Sequence, residues 1–198
     1  MRSKKQNTIF SMIITAIFAA LIAVGAFVSI NIGEVPFTLQ SFVIFLAFGT
    51  IGWKRGTASV GIYLLLGLIG VPVFAGFKSG AGVLFGPTGG FLLGFLLAGI
   101  VYGIISYLFS KIHIFGFFAR LVASFFGTVA VYICGCLMYT AVYLKEVTYS
   151  SLGTAFLVCV APFIIVDIVK MFVAAAVSVR LVKIKMVARM MGNLEQFK

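Results

Sequence analysis

Six long apolar stretches, separated by short polar or glycine-rich breaks, follow one another along the chain. They cover residues 8–30, 37–51, 57–69, 89–109, 117–143 and 154–181. A membrane helix needs about 20 apolar residues to cross the ~30 Å hydrocarbon core of a bilayer. The pattern therefore predicts an all-α integral membrane bundle of six transmembrane helices. The second and third stretches are short for full spans, which predicts tilted, kinked or partly re-entrant segments there.

The composition agrees with a chain that is solvated by lipid. Of the 198 residues, 63% are hydrophobic and 10% are charged, and the mean hydropathy is +1.23. Soluble domains carry about 25% charged residues. Six spans would use about 120 positions, so we expect residues 1–198 to form a single transmembrane domain. The first stretch is too long for a signal peptide and has no convincing cleavage site, so we interpret it as a retained helix.

The positions of the positive charges predict how the helices are oriented. A cytoplasmic N-terminus and six crossings place twelve Lys and Arg residues on the cytoplasmic side, two on the outer side and Lys170 inside a helix. Cytoplasmic loops are rich in Lys and Arg, so we expect both termini in the cytoplasm. This bias also explains the net charge of +11 without a nucleic-acid partner. The cytoplasmic set is Arg2, Lys4, Lys5, Lys54, Arg55, Lys111, Arg120, Arg180, Lys183, Lys185, Arg189 and Lys198, and the outer set is Lys78 and Lys145.

One charged pair lies inside the sixth apolar stretch. Asp167 and Lys170 are three residues apart, which places them on the same face of a helix. An ionisable residue inside a membrane helix is costly and marks a candidate functional site. The pair either neutralises itself or also binds a polar ligand that fills its remaining hydrogen bonds. Pro162 precedes the pair and is expected to kink the helix.

Two segments that face outward in this topology contain further candidate ligand-binding residues. Residues 70–90 are rich in glycine but lack the GxxxxGK[ST] pattern of a phosphate-binding loop. Their aromatic residues favour a lid over an apolar cavity rather than a flexible surface loop. The segment VPFTLQ adds hydrogen-bonding side chains at the start of the second stretch. The candidates are Thr38, Gln40, Phe74, Phe77, Gly86, Pro87, Thr88, Gly89 and Gly90.

Small residues recur four positions apart in the first stretch, at Ala16 and Ala20 and again at Ala19 and Ala23. Such spacing lets membrane helices approach closely. The contact is either internal to this protein or made with a partner membrane protein.

Several absences count against an enzyme. The sequence has no Walker motif, and His113 is its single histidine. We therefore expect no catalytic residues, no metal site and no cofactor. The three cysteines lie in apolar stretches and are interpreted as buried free thiols. A membrane enzyme that uses Asp167 as a base, and a structural scaffold, remain alternatives.

Four separated motifs resemble the BioY family, the biotin-specific membrane subunits of energy-coupling factor (ECF) transporters. They are VPFTLQ, GLIGVPVFAGF, GPTGGFLLGF and APFIIVDIVK, and the resemblance covers about residues 10–182. Phe91 stands where many relatives carry Tyr. The resemblance implies a six-helix subunit of the bacterial plasma membrane that binds biotin from outside. It also implies a transmembrane coupling protein and two cytoplasmic ATPases as partners, with Ala16 and Ala20 on the docking surface.

Biotin chemistry suits the candidate residues under this resemblance. Asp167 would accept a hydrogen bond from a ureido N–H group. Lys170 would bind either the ureido carbonyl or the tail carboxylate, and the sequence does not decide between them. Phe74, Phe77 and Tyr143 would cover the apolar body of the ligand. A related subunit for another vitamin remains an alternative.

Overall fold

The apolar stretches fold into helices, with one short hairpin between the first two. The structure is a computed structural model that describes residues 4–31, 35–145 and 147–183. In these ranges the hairpin, β1 (Ser29–Asn31) with β2 (Pro36–Thr38), is antiparallel and pairs Ile30 with Phe37. The helices there are α1 (Lys4–Phe27), α2 (Gln40–Ile51), α3 (Trp53–Leu68), α4 (Ala81–Leu84), α5 (Gly89–Lys111), α6 (Phe117–Tyr139), α7 (Tyr149–Cys159) and α8 (Ile164–Lys183).

Three helical segments of the described chain are long and apolar enough to cross a membrane. They are Thr8–Phe27, Gly89–Lys111 and Phe117–Leu144, and α7 with α8 adds a fourth if that bent pair counts as one span. At ~1.5 Å per residue, α2 is about 18 Å long and α3 about 24 Å. Both are shorter than the hydrocarbon core. The helical membrane class is confirmed, whereas the count of six spans and the cytoplasmic termini stay predictions.

Two breaks shape the bundle. Gly52 separates α2 from α3 with a φ of 85°, a conformation that glycine adopts without steric cost. The second break lies at residues 160–163, where the predicted sixth helix divides into α7 and α8 with a 60° bend. Pro162 lies in this turn and cannot donate a backbone hydrogen bond. The sixth apolar stretch is therefore two helices rather than one kinked helix.

Small residues let the long helices pack closely. On α5, Gly90 and Gly94 lie against the α6 backbone, where an added Cβ at Gly94 would come within 2.9 Å of the Val131 Cα. Gly49 of α2 approaches Ser178 of α8 in the same way, since an added Cβ at Gly49 would lie 2.7 Å from the Ser178 Oγ. Close backbone approach is the usual basis of helix packing in membranes.

Several cationic residues lie together at one end of the bundle, because of the directions in which the helices run. The C-terminal ends of α2, α5 and α8 meet there with the N-terminal ends of α3 and α6, and Trp53 packs against Gly103. Lys54, Lys111 and Arg180 lie at this end. Glu34 and the predicted cytoplasmic charges Arg2, Lys185, Arg189 and Lys198 lie outside the described residues.

Candidate functional site: a polar cavity at the hairpin end of the bundle

A cavity opens at the end of the bundle away from the basic helix ends. Its volume is about 310 Å³, within the range of roughly 300–1,000 Å³ that is typical of small-molecule sites. Its walls combine the hairpin, the starts of α2, α5 and α8, the second half of α6 and the glycine-rich segment. The lining residues are Val35, Pro36, Thr38, Gln40, Ser41, Phe45, Phe74, Ala75, Lys78, Val83, Pro87, Thr88, Phe91, Leu92, Phe95, Thr128, Val131, Tyr132, Tyr139, Cys159, Phe163, Asp167 and Lys170.

Asp167 and Lys170 form an ion pair in the wall of this cavity. Lys170 Nζ lies 2.9 Å from Asp167 Oδ1, and the two side chains are 8% and 13% exposed, respectively. Ser41 of α2 donates to Oδ1 at 3.3 Å, and the Tyr132 hydroxyl of α6 donates to Oδ2 at 2.6 Å. Three helices therefore stabilise one carboxylate, as a buried charge requires.

The ammonium group of Lys170 also has partners besides the carboxylate. It donates to Ser41 Oγ at 3.4 Å and lies 4.6 Å from the centre of the Phe37 ring. Phe37 in turn stacks on Phe163 at the bend before α8, with ring centres 5.1 Å apart. A cation over an aromatic face is stabilised by the ring quadrupole. The short hairpin thus places an aromatic side chain directly against the charged pair.

Both candidate residues in VPFTLQ line the cavity. Thr38 Oγ1 accepts a hydrogen bond from the backbone N–H of Gln40 at 3.4 Å, at the start of α2. Gln40 is 3% exposed, and its Nε2 group is buried without a hydrogen-bond partner among the described residues. A buried, unfilled donor is costly, and the hydroxyl of the neighbouring Tyr63 is buried without a partner as well.

The glycine-rich segment covers one side of the cavity. Phe74 is 1% exposed and packs against Tyr63 and Gly67 of α3, which anchors the segment. The backbone N–H of Gly80 donates to the carbonyl of Gly67 at 2.7 Å, and Gly80 has a φ of 89°. Phe74, Pro87 and Thr88 line the cavity as the sequence predicts. The segment is therefore packed over the cavity rather than a loop without contacts.

Two predicted aromatic residues point elsewhere. Phe77 is 66% exposed, has a φ of 58° and stacks on Phe27 at the end of α1, with ring centres 4.5 Å apart. Tyr143 is 49% exposed and stacks on Tyr139 with ring centres 4.9 Å apart. Tyr139 lines the cavity, so Tyr143 lies one layer behind it. Neither Phe77 nor Tyr143 belongs to the lining.

The predicted glycines also lie outside the lining. Gly86 and Gly89 pack against the backbone carbonyls of Gly82 and Leu84, and Gly90 packs against that of Cys134. No side chain fits at these positions without a shift of the neighbouring backbone. Their evident role is to let the segment turn into α5 and to let α5 approach α6.

The sequence analysis did not predict the two residues that donate hydrogen bonds to Asp167, namely Ser41 and Tyr132. Ser41 is 126 positions from Asp167 and Tyr132 is 35 positions away. A tyrosine in the middle of an apolar stretch was a usable signal for Tyr132. Ser41 had no comparable signal, because small polar residues are common near helix ends.

The structure and the site define a polytopic helical membrane protein with a partly polar small-molecule cavity. No group of three or more His, Cys, Asp or Glu side chains that would suit a metal ion occurs in the described ranges. The BioY family model matches residues 1–186. The chain therefore belongs to the BioY family.

Individual relatives agree with this assignment. The chain is 41% identical to the "Biotin transporter BioY" of Thermotoga maritima, over 88% of this chain and 96% of that protein. It is 38% identical to the "Probable biotin transporter BioY" of Pyrococcus horikoshii, over 85% and 93%. A crystal structure of "the S-component for biotin from an ECF-type ABC transporter" matches with a TM-score of 0.76 and 27% identity, over 92% of this chain and 95% of that one.

Proposed function

We propose that this chain binds biotin from outside the cell as the substrate-binding subunit of an ECF-type transporter in a bacterial plasma membrane. Family membership and the printed names of the relatives support this function. The observation that carries it is the Asp167–Lys170 pair in the wall of the cavity, surrounded by aromatic residues. Those relatives are named as transporters or their subunits, so no catalysis is assigned to the chain.

The polar groups left over in the site match a cyclic urea. Asp167 Oδ2 accepts one hydrogen bond, from Tyr132, and an ionised carboxylate oxygen accepts about two. Lys170 donates to Asp167 and Ser41, which leaves one of its three N–H groups. The pair therefore offers an acceptor and a donor side by side on one helix face. A ureido ring presents N–H beside C=O, the complementary order.

The apolar part of the cavity suits the rest of biotin. Phe74, Phe91, Phe95 and Phe163 line it together with Tyr139. Aromatic side chains provide a large contact area for an apolar ring and chain. In this arrangement the ureido ring lies at the charged pair, and the sulfur-containing ring and alkyl chain contact the aromatic wall.

The coupling protein and two ATPases are also part of the proposal, with α1 as the docking helix. Ala19 and Ala23 are buried, at 3% and 9% exposure, and serve internal packing. Ala16 and Ala20 are exposed on another face of α1. That face is open to a second membrane protein, which would use the same close packing of small residues.

Biotin titration of the purified full chain tests the function. We expect saturable binding by the wild type, and a loss of affinity of roughly tenfold to a hundredfold for Asp167→Asn and Lys170→Ala, as for a lost charged hydrogen bond. Lys145→Ala is the matched control, because that lysine is exposed and absent from the lining. Thiamine and riboflavin as competitors test the other-vitamin alternative. If Asp167→Asn and Lys170→Ala both bind biotin with wild-type affinity, the assignment of this pair to the binding site is wrong.

A further inference from the structure

The charges of the described residues that line the cavity do not balance. Three charged side chains line it in the described part of the chain, namely Lys78, Asp167 and Lys170. Asp167 and Lys170 neutralise each other at 2.9 Å. Lys78 has neither an ion pair nor a side-chain hydrogen bond with any described residue. The described lining therefore carries one uncompensated positive charge.

The turn that carries Lys78 is held in place by its own backbone. The N–H of Phe74 donates to the carbonyl of Lys78 at 3.0 Å, which closes the turn. Phe74 is buried, so the turn is anchored on the side of α3. The Lys78 stem folds back over Gly76, with Cε 4.0 Å from the position of a Cβ there. Lys78 is thus presented at the cavity although its side chain remains exposed to solvent.

The start of α5 adds positive partial charge to the same cavity. Pro87 and Thr88 line the cavity at the N-terminus of α5, a helix of 23 residues. A helix N-terminus carries about half a positive charge and favours anions. An anionic ligand complements this surplus better than a neutral one.

We propose that Lys78 binds the carboxylate of the ligand at the mouth of the cavity, while the Asp167–Lys170 pair binds its uncharged ring. The inference rests on the proposed function, because it assumes a ligand with an ionised acid group at one end and a cyclic urea at the other. It decides between the two roles that the sequence left open for Lys170. The charge of Lys170 is already compensated by Asp167 at 2.9 Å, and its remaining N–H group suits a neutral carbonyl, whereas Lys78 has no counter-charge among the described residues.

Comparing biotin with biotinamide, its uncharged carboxamide, tests this assignment. The full chain, in detergent, is titrated with both compounds as wild type, Lys78→Gln and Lys78→Arg. We expect the wild type to prefer biotin, and Lys78→Gln to lose about two- to fivefold in affinity for biotin, the range for a charge pair that stays partly in water. Affinity for biotinamide should change little, so the preference for the acid should disappear. The Lys78→Arg variant retains the positive charge and should therefore keep the preference for biotin over biotinamide.

Two controls separate the possible failures. Lys145→Gln removes the other cation predicted on the outer side and should leave both affinities unchanged. Asp167→Asn should weaken biotin and biotinamide by the same factor, because both compounds contain the ureido ring. Equal wild-type affinity for the two compounds, or an unchanged preference in Lys78→Gln, would overturn the inference. If the wild type binds neither compound, the proposed function itself fails.

Discussion

Replacing both members of the Asp167–Lys170 pair at once should restore stability without restoring biotin binding. Lys170→Met alone keeps the length of the side chain but leaves the carboxylate buried with only Ser41 and Tyr132 as donors. Breaking a buried ion pair in this way costs about 3–5 kcal/mol. Two donors remain, so we expect the lower end of that range. Adding Asp167→Asn removes the unpaired charge, and the double variant should lie within about 1 kcal/mol of the wild type.

The assay is the free energy of unfolding from SDS titration in mixed micelles, with biotin binding measured on the same preparations. Lys145→Met is the control for removing an exposed lysine, which should change stability by less than about 0.5 kcal/mol. A double variant as unstable as Lys170→Met alone would refute the electrostatic explanation. A double variant that binds biotin like the wild type would show that the pair only neutralises itself, as the scaffold alternative holds.

Three other substitutions test separate parts of the structure. Tyr132→Phe removes the 2.6 Å hydrogen bond to the buried carboxylate; it should lower the unfolding free energy by about 1.5–3 kcal/mol, and an unchanged SDS midpoint would contradict the geometry. Gly90→Ala places a Cβ against the carbonyl of Cys134 and should cost about 1–3 kcal/mol, whereas Gly153→Ala, which meets nothing within 4 Å, should not destabilise the protein. Leucines at the exposed Ala16 and Ala20 should leave biotin binding intact but abolish co-purification with the coupling protein, and retained co-purification would exclude this docking face.

The sequence predicted those features that depend on local composition. Apolar length identified the helical membrane class, because a bilayer tolerates few charges and no unpaired backbone. The i,i+3 spacing correctly placed Asp167 and Lys170 on one face. Pro162 indicated the bend that became a break between α7 and α8. Each of these inferences uses residues that are close in the chain.

Features that depend on tertiary packing were not predicted. The hairpin that brings Phe37 to Lys170 is only three residues long in each strand, too short for an alternating pattern. The direction of Phe77 follows from a positive φ, which an aromatic residue seldom adopts and no local pattern indicates. The same holds for Ser41, whose partner lies 126 residues away. These contacts become visible only once the helices are assembled.

The Asp167–Lys170 pair is already stabilised by neighbouring side chains before a ligand binds. The desolvation cost of the two charges is offset within the bundle by Ser41, Tyr132 and the Phe37 ring, before a ligand arrives. A ligand therefore need not bring a counter-charge to the inner wall, and it meets a fixed acceptor and donor there. Such preorganisation reduces the entropic cost of binding. In the proposed binding mode, attraction for the charged end of a ligand comes from Lys78, which has no ion pair among the described residues.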